Sequence, residues 1–200
     1  MNRLWLIIFA LVFTWSAIRP FDTFTWFLEV SPAIIALLVL LATRKVFPLT
    51  GLVYTLILVH CVILMVGGHY TYAEVPLFDW IRDAFGLARN NYDKLGHFAQ
   101  GFIPAMVARE ILVRKNVING RAWMNFLVVC FCLAVSAFYE LVEWAVAEIV
   151  GGPAEAFLGT QGYIWDTQSD MAFAMTGAIV ALLLLGKLHD RQLEENGFLP

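Results

Sequence analysis

Six apolar stretches, at residues 4–18, 24–42, 49–66, 95–113, 122–150 and 167–185, dominate what this chain can become. About 20 apolar residues in a helix cross the hydrocarbon of a bilayer. In lipid each backbone amide and carbonyl must find its partner inside the protein, which leaves helices and closed barrels as spanning structures. Stretches of this length predict an all-α, polytopic membrane helix bundle with about six transmembrane helices. The charged fraction is 14%, the hydrophobic fraction 60% and the mean hydropathy +0.74, whereas ordinary soluble domains carry about 25% charged residues. Within 200 residues no separate soluble domain fits beside six spans, so residues 1–200 read as one integral membrane domain.

The segments between the stretches refine this picture. Trp15 stands where a cleavable leader would carry small residues, and Arg19-Pro20 follows as a compact break, so the first stretch reads as a short, uncleaved helix. Glu29 and Pro32 lie near the start of the second, and Thr43-Arg44-Lys45 closes it. His60 falls inside the third, where a lone histidine is expected to bond a neighbouring helix. The longest loop runs from Gly67 to Asn91. Its centre sets Asp79, Arg82 and Asp83 on one helical face and Phe78, Trp80, Ile81 and Phe85 on the other, which predicts a short interfacial helix between spans three and four. Gly151-Gly152-Pro153 breaks the fifth stretch, Asp166 or Thr167 is expected to cap the sixth, and Gly186-Lys187 opens a charged tail. Cys61, Cys130 and Cys132 sit in apolar surroundings and read as small buried hydrophobes, with no disulfide or metal frame.

Lysine and arginine set the expected orientation. With a cytoplasmic amino terminus, six spans place Arg3, Arg44, Lys45, Arg109, Arg114, Lys115, Arg121, Lys187 and Arg191 inside, and Arg19, Arg82, Arg89 and Lys94 outside. Both termini are then cytoplasmic. The net charge of −3 and the scattered basic residues give no footprint for nucleic acid.

That orientation brings three polar intrusions to one surface. Asp93, His97, Gln100 and Pro104 recur at helical spacing and form a stripe at the start of the fourth span. Glu140 and Glu143 share a face with Ser136, Trp144 and Ala147 near the end of the fifth. Asp166, Asp170, Phe173 and Gly177 form a stripe at the start of the sixth, and Gly177 suits a close helix approach. A charge at mid-bilayer costs about 3 kcal/mol on insertion scales, so these carboxylates are expected to face water, one another or a cation. The expected site comprises Asp93, His97, Glu140, Glu143, Asp166 and Asp170.

Two chemistries suit such a group. Crowded carboxylates hold a proton on one member while His97 accepts one, as in an acid–base enzyme or a proton relay. Alternatively, His97, Glu140 and Asp170 offer the oxygen-rich donor set of a divalent cation that activates water or holds an anionic headgroup. The partners are then the lipid bilayer and an amphiphilic or lipid-linked envelope substrate. A small proton-coupled transporter and a scaffold with a purely structural polar plug stay open, and neither the substrate nor the oligomeric state is legible.

Three segments carry a family resemblance: Asp93-Lys94-Leu95-Gly96-His97-Phe98, Phe138-Tyr139-Glu140-Leu141-Val142-Glu143-Trp144, and Gln161 to Met171 with its Tyr163-Ile164-Trp165-Asp166 core. Together they resemble the YjdF-type inner-membrane proteins of bacteria over most of Tyr92 to Leu185. The resemblance implies a bacterial inner-membrane location. More distantly, the Asp-Lys-x-x-His-Phe start, a later glutamate and the Asp170 to Gly177 spacing resemble VanZ-like proteins, which are associated with glycopeptide resistance and the cell envelope. In that pattern Ala174 stands in place of an asparagine, and no arginine precedes Asp166.

Overall fold

Apolar sequence that must satisfy its own backbone folds into helices, and the computed structural model, which describes residues 2–151 and 155–198, contains eight of them and no strand among those residues. They are α1 (Arg3–Ala17), α2 (Thr23–Thr43), α3 (Gly51–Tyr70), α4 (Pro76–Phe85), α5 (Tyr92–Arg114), α6 (Arg121–Val150), α7 (Glu155–Leu158) and α8 (Asp166–Glu195). Short polar side chains start three of them by accepting the orphan amides of the first turn. Asn2 accepts from the Trp5 amide at 2.9 Å, Asp22 from Thr25 at 2.7 Å and Thr50 from Val53 at 3.4 Å. By length and composition α2, α3, α6 and α8 can each cross a membrane. Helix α1 is apolar but has only 15 residues, and α5 carries Asp93, Lys94, Arg109 and Glu110, all buried against other helices.

Helix α5 is the centre of the bundle, packed on α8, α6 and α3, while α1 and α2 flank α3 on the far side. Two apolar cores result. Trp5, Phe9, Val30, Ala33 and Met65 join α1, α2 and α3, and Val53, Met106, Val128, Cys132 and Ala178 join α3, α5, α6 and α8. The α5–α8 contact is the closest, because a Cβ on Gly101 would collide with the Ala174 backbone and one on Gly177 with the Phe98 carbonyl. Glycine alone allows two helix backbones to touch in this way. Tyr72 enters the bundle from the loop after α3, and its ring lies where side chains on Gly67 and Gly96 would sit.

Several boundaries differ from the sequence-based expectation. Helix α3 continues through Gly67 and Gly68 to Tyr70, because the absent side chains make room for Tyr72 and for Val30 of α2. Helix α5 begins at Tyr92, so Asp93 and Lys94 are its first turn. Asp166 is the first residue of α8 and caps nothing; Trp165 holds the cap position without a side-chain bond, and Thr167 is exposed. Helix α8 runs past Gly186 to Glu195, where a tail was expected, because His189 and Leu193 are buried and the Gln192 side chain accepts from the Leu52 amide of α3 at 2.9 Å. Cys130 is exposed, whereas Cys61 and Cys132 are buried. Met1, Pro200 and the Gly152-Pro153 part of the break after α6 lie outside the described residues.

The amphipathic segment is helical as α4, with Gly86 closing it at φ +62°. Phe78 packs edge-on against Tyr92, and Asp79 accepts from Arg82 at 2.8 Å and from Asn90 at 3.0 Å. Leu77, Trp80 and Phe85 point outward. At the other end of α5 a second polar cluster gathers around the fully buried Glu110 and His189. Glu110 accepts from the Thr50 hydroxyl at 2.7 Å, from Arg114 at 2.9 Å and from His189 Nε2 at 3.1 Å. Arg109 donates to His189 Nδ1 at 2.7 Å and binds Asp190, and Arg114 lies between the Phe47 and Phe198 rings, 3.6 Å from each centroid.

Three variants check this packing by thermal unfolding of the detergent-solubilised protein. Gly101→Leu is expected to lose about 1–3 kcal/mol or more through overpacking, while Gly186→Ala, with open space around it, is neutral or stabilising by up to about 1 kcal/mol. Glu110→Ala leaves the buried His189 Nε2 without its acceptor and takes the carboxylate from half-buried Arg114, and is expected to cost about 3–5 kcal/mol.

Candidate functional site

The first turns of α5 deliver Asp93, Lys94, His97 and Gln100, α6 delivers Tyr139, Glu140 and Glu143, and the start of α8 delivers Asp166 and Asp170. Because α5 and α8 touch at Gly101 and Gly177, their polar first turns lie side by side. Lys94 Nζ lies 2.5 Å from Asp170 Oδ1, 2.7 Å from Asp166 Oδ1 and 3.5 Å from Asp93 Oδ2. Arg89, just before α5, reaches Asp166 at 2.5 Å and Asp93 at 3.5 Å, and donates to the Thr160 carbonyl at 3.1 Å. Gln161 and the Asn90 backbone exchange two hydrogen bonds, of 3.0 and 2.8 Å, which fasten the loop before α8 onto the start of α5.

His97 faces the acidic groups from within. Its Nε2 is 3.4 Å from Asp93 Oδ1, 3.7 Å from Glu140 Oε1 and 4.0 Å from Asp170 Oδ2. Its Nδ1 lies 3.1 Å from Gln100 Oε1. An amide oxygen only accepts, so Nδ1 carries a hydrogen toward Gln100 and Nε2 is the ring nitrogen that faces the carboxylates. Asp93, His97, Glu140, Glu143, Asp166 and Asp170 are all buried. Asp93, His97 and Asp170 place one donor atom each within 4.8 Å of one another. That trio contains Asp93 in the position the sequence reading gave to Glu140. Glu140 Oε1 is buried without a hydrogen-bond partner among the described residues, as is the Ser136 hydroxyl one turn away.

Beside His97 lies a cavity of about 170 Å³ lined by Glu29, His60, Tyr72, Asp93, Gln100 and Glu143, among others. Tyr139 donates to Glu29 Oε2 at 3.1 Å and joins α6 to α2 across its rim. Glu29, Asp93 and Glu143 line this cavity with His97, and through His97 and Lys94 they adjoin Glu140, Asp166 and Asp170, so that six buried carboxyl groups meet two permanent cations, Arg89 and Lys94, and one imidazole. So large an excess of acid in a low dielectric needs protons or an added cation to approach neutrality.

Two stripe members fall elsewhere. Trp144 and Phe173 are exposed, at 61% and 43%, because the inward face of α8 is Asp166, Asp170, Ala174, Gly177 and Ala181. The small Ala174 sits where α5 approaches, and Phe173 is one residue off that face. His60 lines the cavity and makes no side-chain hydrogen bond to a neighbouring helix among the described residues. The sequence reading left Glu29, Tyr139 and Arg89 out of the site. A glutamate inside an apolar stretch was the available signal for Glu29. Arg89 and Tyr139 carried none, since a loop arginine and a tyrosine near a membrane surface are ordinary.

Comparison with known proteins covers nearly the whole chain. The family model described as "Predicted membrane protein (DUF2238)" matches residues 1–191. The "Inner membrane protein YjdF" of Escherichia coli (strain K12) is 52% identical over 190 residues, spanning 95% of this chain and 91% of that protein. No solved structure matches. The chain therefore belongs to the DUF2238 family of predicted membrane proteins, and the YjdF relative is similar to it along nearly its whole length.

Proposed function

We propose that the protein resides in the bacterial inner membrane with six spans, α1, α2, α3, α5, α6 and α8, and both termini cytoplasmic, and that its acidic site binds the polar head of an amphiphilic envelope substrate. The name of the YjdF relative supports the location, and the nine-to-four distribution of basic residues supports the orientation. The site then opens at the periplasmic side, and α4 rests on headgroups there with Leu77, Trp80 and Phe85 toward lipid.

The observation that carries the reading is His97 Nε2 facing Asp93, Glu140 and Asp170 beside a cavity with a surplus of carboxyl groups. In this role His97 and Asp93 form an acid–base pair, with Gln100 fixing the imidazole tautomer. Glu140 and Glu143 accept hydrogen bonds from hydroxyl or amine groups of the bound head. Lys94 and Arg89 hold Asp166 and Asp170 in place as positioning residues.

A second reading rests on the 4.8 Å grouping of Asp93, His97 and Asp170. Those three are a donor set for one divalent cation, which would supply charge to polarise a headgroup oxygen. The Lys94 ammonium already lies 2.5 Å from Asp170 Oδ1 and competes for that carboxylate, so the acid–base reading stands first.

Two measurements on purified protein decide between these. Mass spectrometry of lipid retained through mild detergent purification is expected to show an amphiphile in the wild type that is lost in His97→Gln and Asp170→Asn, with both variants still folded by circular dichroism. Equal lipid in all three, with only the melting temperature lowered, would leave the cluster a structural plug. Elemental analysis of the same samples is expected to find no stoichiometric metal; one divalent ion per chain in the wild type and none in either variant would establish the cation site instead.

A further inference from the structure

Below the Tyr139–Glu29 bridge, α2 and α6 separate, and a cleft of about 580 Å³ opens between them, floored by α3 and α5. Its walls are Ala36, Leu40, Val107, Ile111, Phe131 and Val135, with polar groups only toward its ends, His60 and Thr43 with Lys115. The cleft adjoins the acidic cavity, for Pro32, His60, Leu64, Pro104 and Val135 line both. Prolines in α2 and α5 flank the junction.

We infer that this cleft holds one hydrocarbon chain of a bilayer lipid whose polar head lies in the cavity beside His97. The inference rests on the head-binding reading given above and names its substrate class, a membrane lipid that enters sideways from the bilayer.

Three observations select that occupant. The first is polarity, since the cleft is apolar along its length and adjoins a carboxylate-bearing cavity at one end, which is the polarity profile of a lipid. Length is the second: along α5 and its cap the cleft runs from Ile103 to Lys115, about 18 Å at 1.5 Å per residue, enough for a chain of the length that fills roughly 15 Å of hydrocarbon in one leaflet. Size is the third: at about 580 Å³ the cleft falls within the roughly 300–1,000 Å³ of small-ligand sites. Amine or hydroxyl heads match the acceptor-rich cavity, and phosphatidylethanolamine supplies an amine.

The test uses the full-length protein in liposomes of phosphatidylethanolamine and phosphatidylglycerol, with a small fraction of phosphatidylethanolamine carrying a diazirine on one acyl chain. After irradiation, peptide mapping is expected to find label at Val107 and Val135 several-fold above that at Leu183 and Phe138, which face outward. Ala36→Trp, which fills the cleft, is expected to remove the excess while leaving the outward label unchanged; Val107→Trp, from the floor, read at Val135, serves where Ala36→Trp does not fold. Uniform label in the wild type, or cleft label indifferent to a folded tryptophan variant, overturns the inference. His97→Gln separates the two claims. Cleft label lost in that variant supports both, whereas label that persists there and vanishes in Ala36→Trp keeps the chain in the cleft and removes its head from the His97 site.

Discussion

The ammonium of Lys94 among Asp93, Asp166 and Asp170 is the interaction on which the polar half of this bundle depends. A lysine and three carboxylates buried in a membrane-crossing bundle are expensive singly and acceptable only as a set, because each charge is then another's counter-ion. The set assembles only if α5 and α8 nearly touch, which Gly101 and Gly177 permit by leaving room for the opposing backbone. Backbone contact and ion pairing are therefore one device. The glycines bring the first turns of the two helices together, and the ion pairs hold the register in which Arg89 and Gln161 fasten the neighbouring loops.

Helix α5 carries a buried polar cluster at each end, and the two differ in a way that bears on function. At the Glu110 end acceptors and donors balance, with Thr50, Arg114 and His189 meeting one glutamate, and Arg109 meeting His189 and Asp190. Such a network specifies the docking of α8 on α5 and α3 and leaves nothing over. At the Asp93 end acids outnumber cations, Glu140 keeps an unpartnered buried oxygen, and a cavity adjoins the imidazole. An unbalanced cluster beside an opening has capacity for a ligand or a proton, which is why the functional proposal rests there. The apolar core of Val53, Met106 and Ala178 separates the two clusters.

Much of the architecture was legible because apolar length and periodicity report directly on helices in lipid. The α4 segment was equally plain, since its polar and apolar residues alternate at helical spacing. Helix ends were read less well wherever a distant partner sets them. Gly67 and Gly68 look like a loop until Tyr72 and Val30 fill the space beside them, and Gly186 looks like a terminus until His189, Gln192 and Leu193 are seen to pack. Spacing brought Asp93, His97, Glu140, Glu143, Asp166 and Asp170 under consideration. It could not exclude Phe173 and Trp144, which share approximate periodicity with the buried faces, nor include Glu29, which comes from a helix 64 residues before Asp93.

By itself the sequence determined that the chain is helical, that it belongs in a membrane, and that a few acidic residues and one histidine must avoid lipid, because these follow from local composition and from the cost of exposing polar groups to hydrocarbon. Tertiary structure alone decided which acids share a chamber with His97, that Lys94 and Arg89 neutralise part of them, and that α2 and α6 part to leave an apolar cleft beneath. Those outcomes depend on helix rotation and on how closely pairs of helices approach. Side-chain volumes at contacts such as Gly101 against Ala174 set both, and one-dimensional spacing records neither.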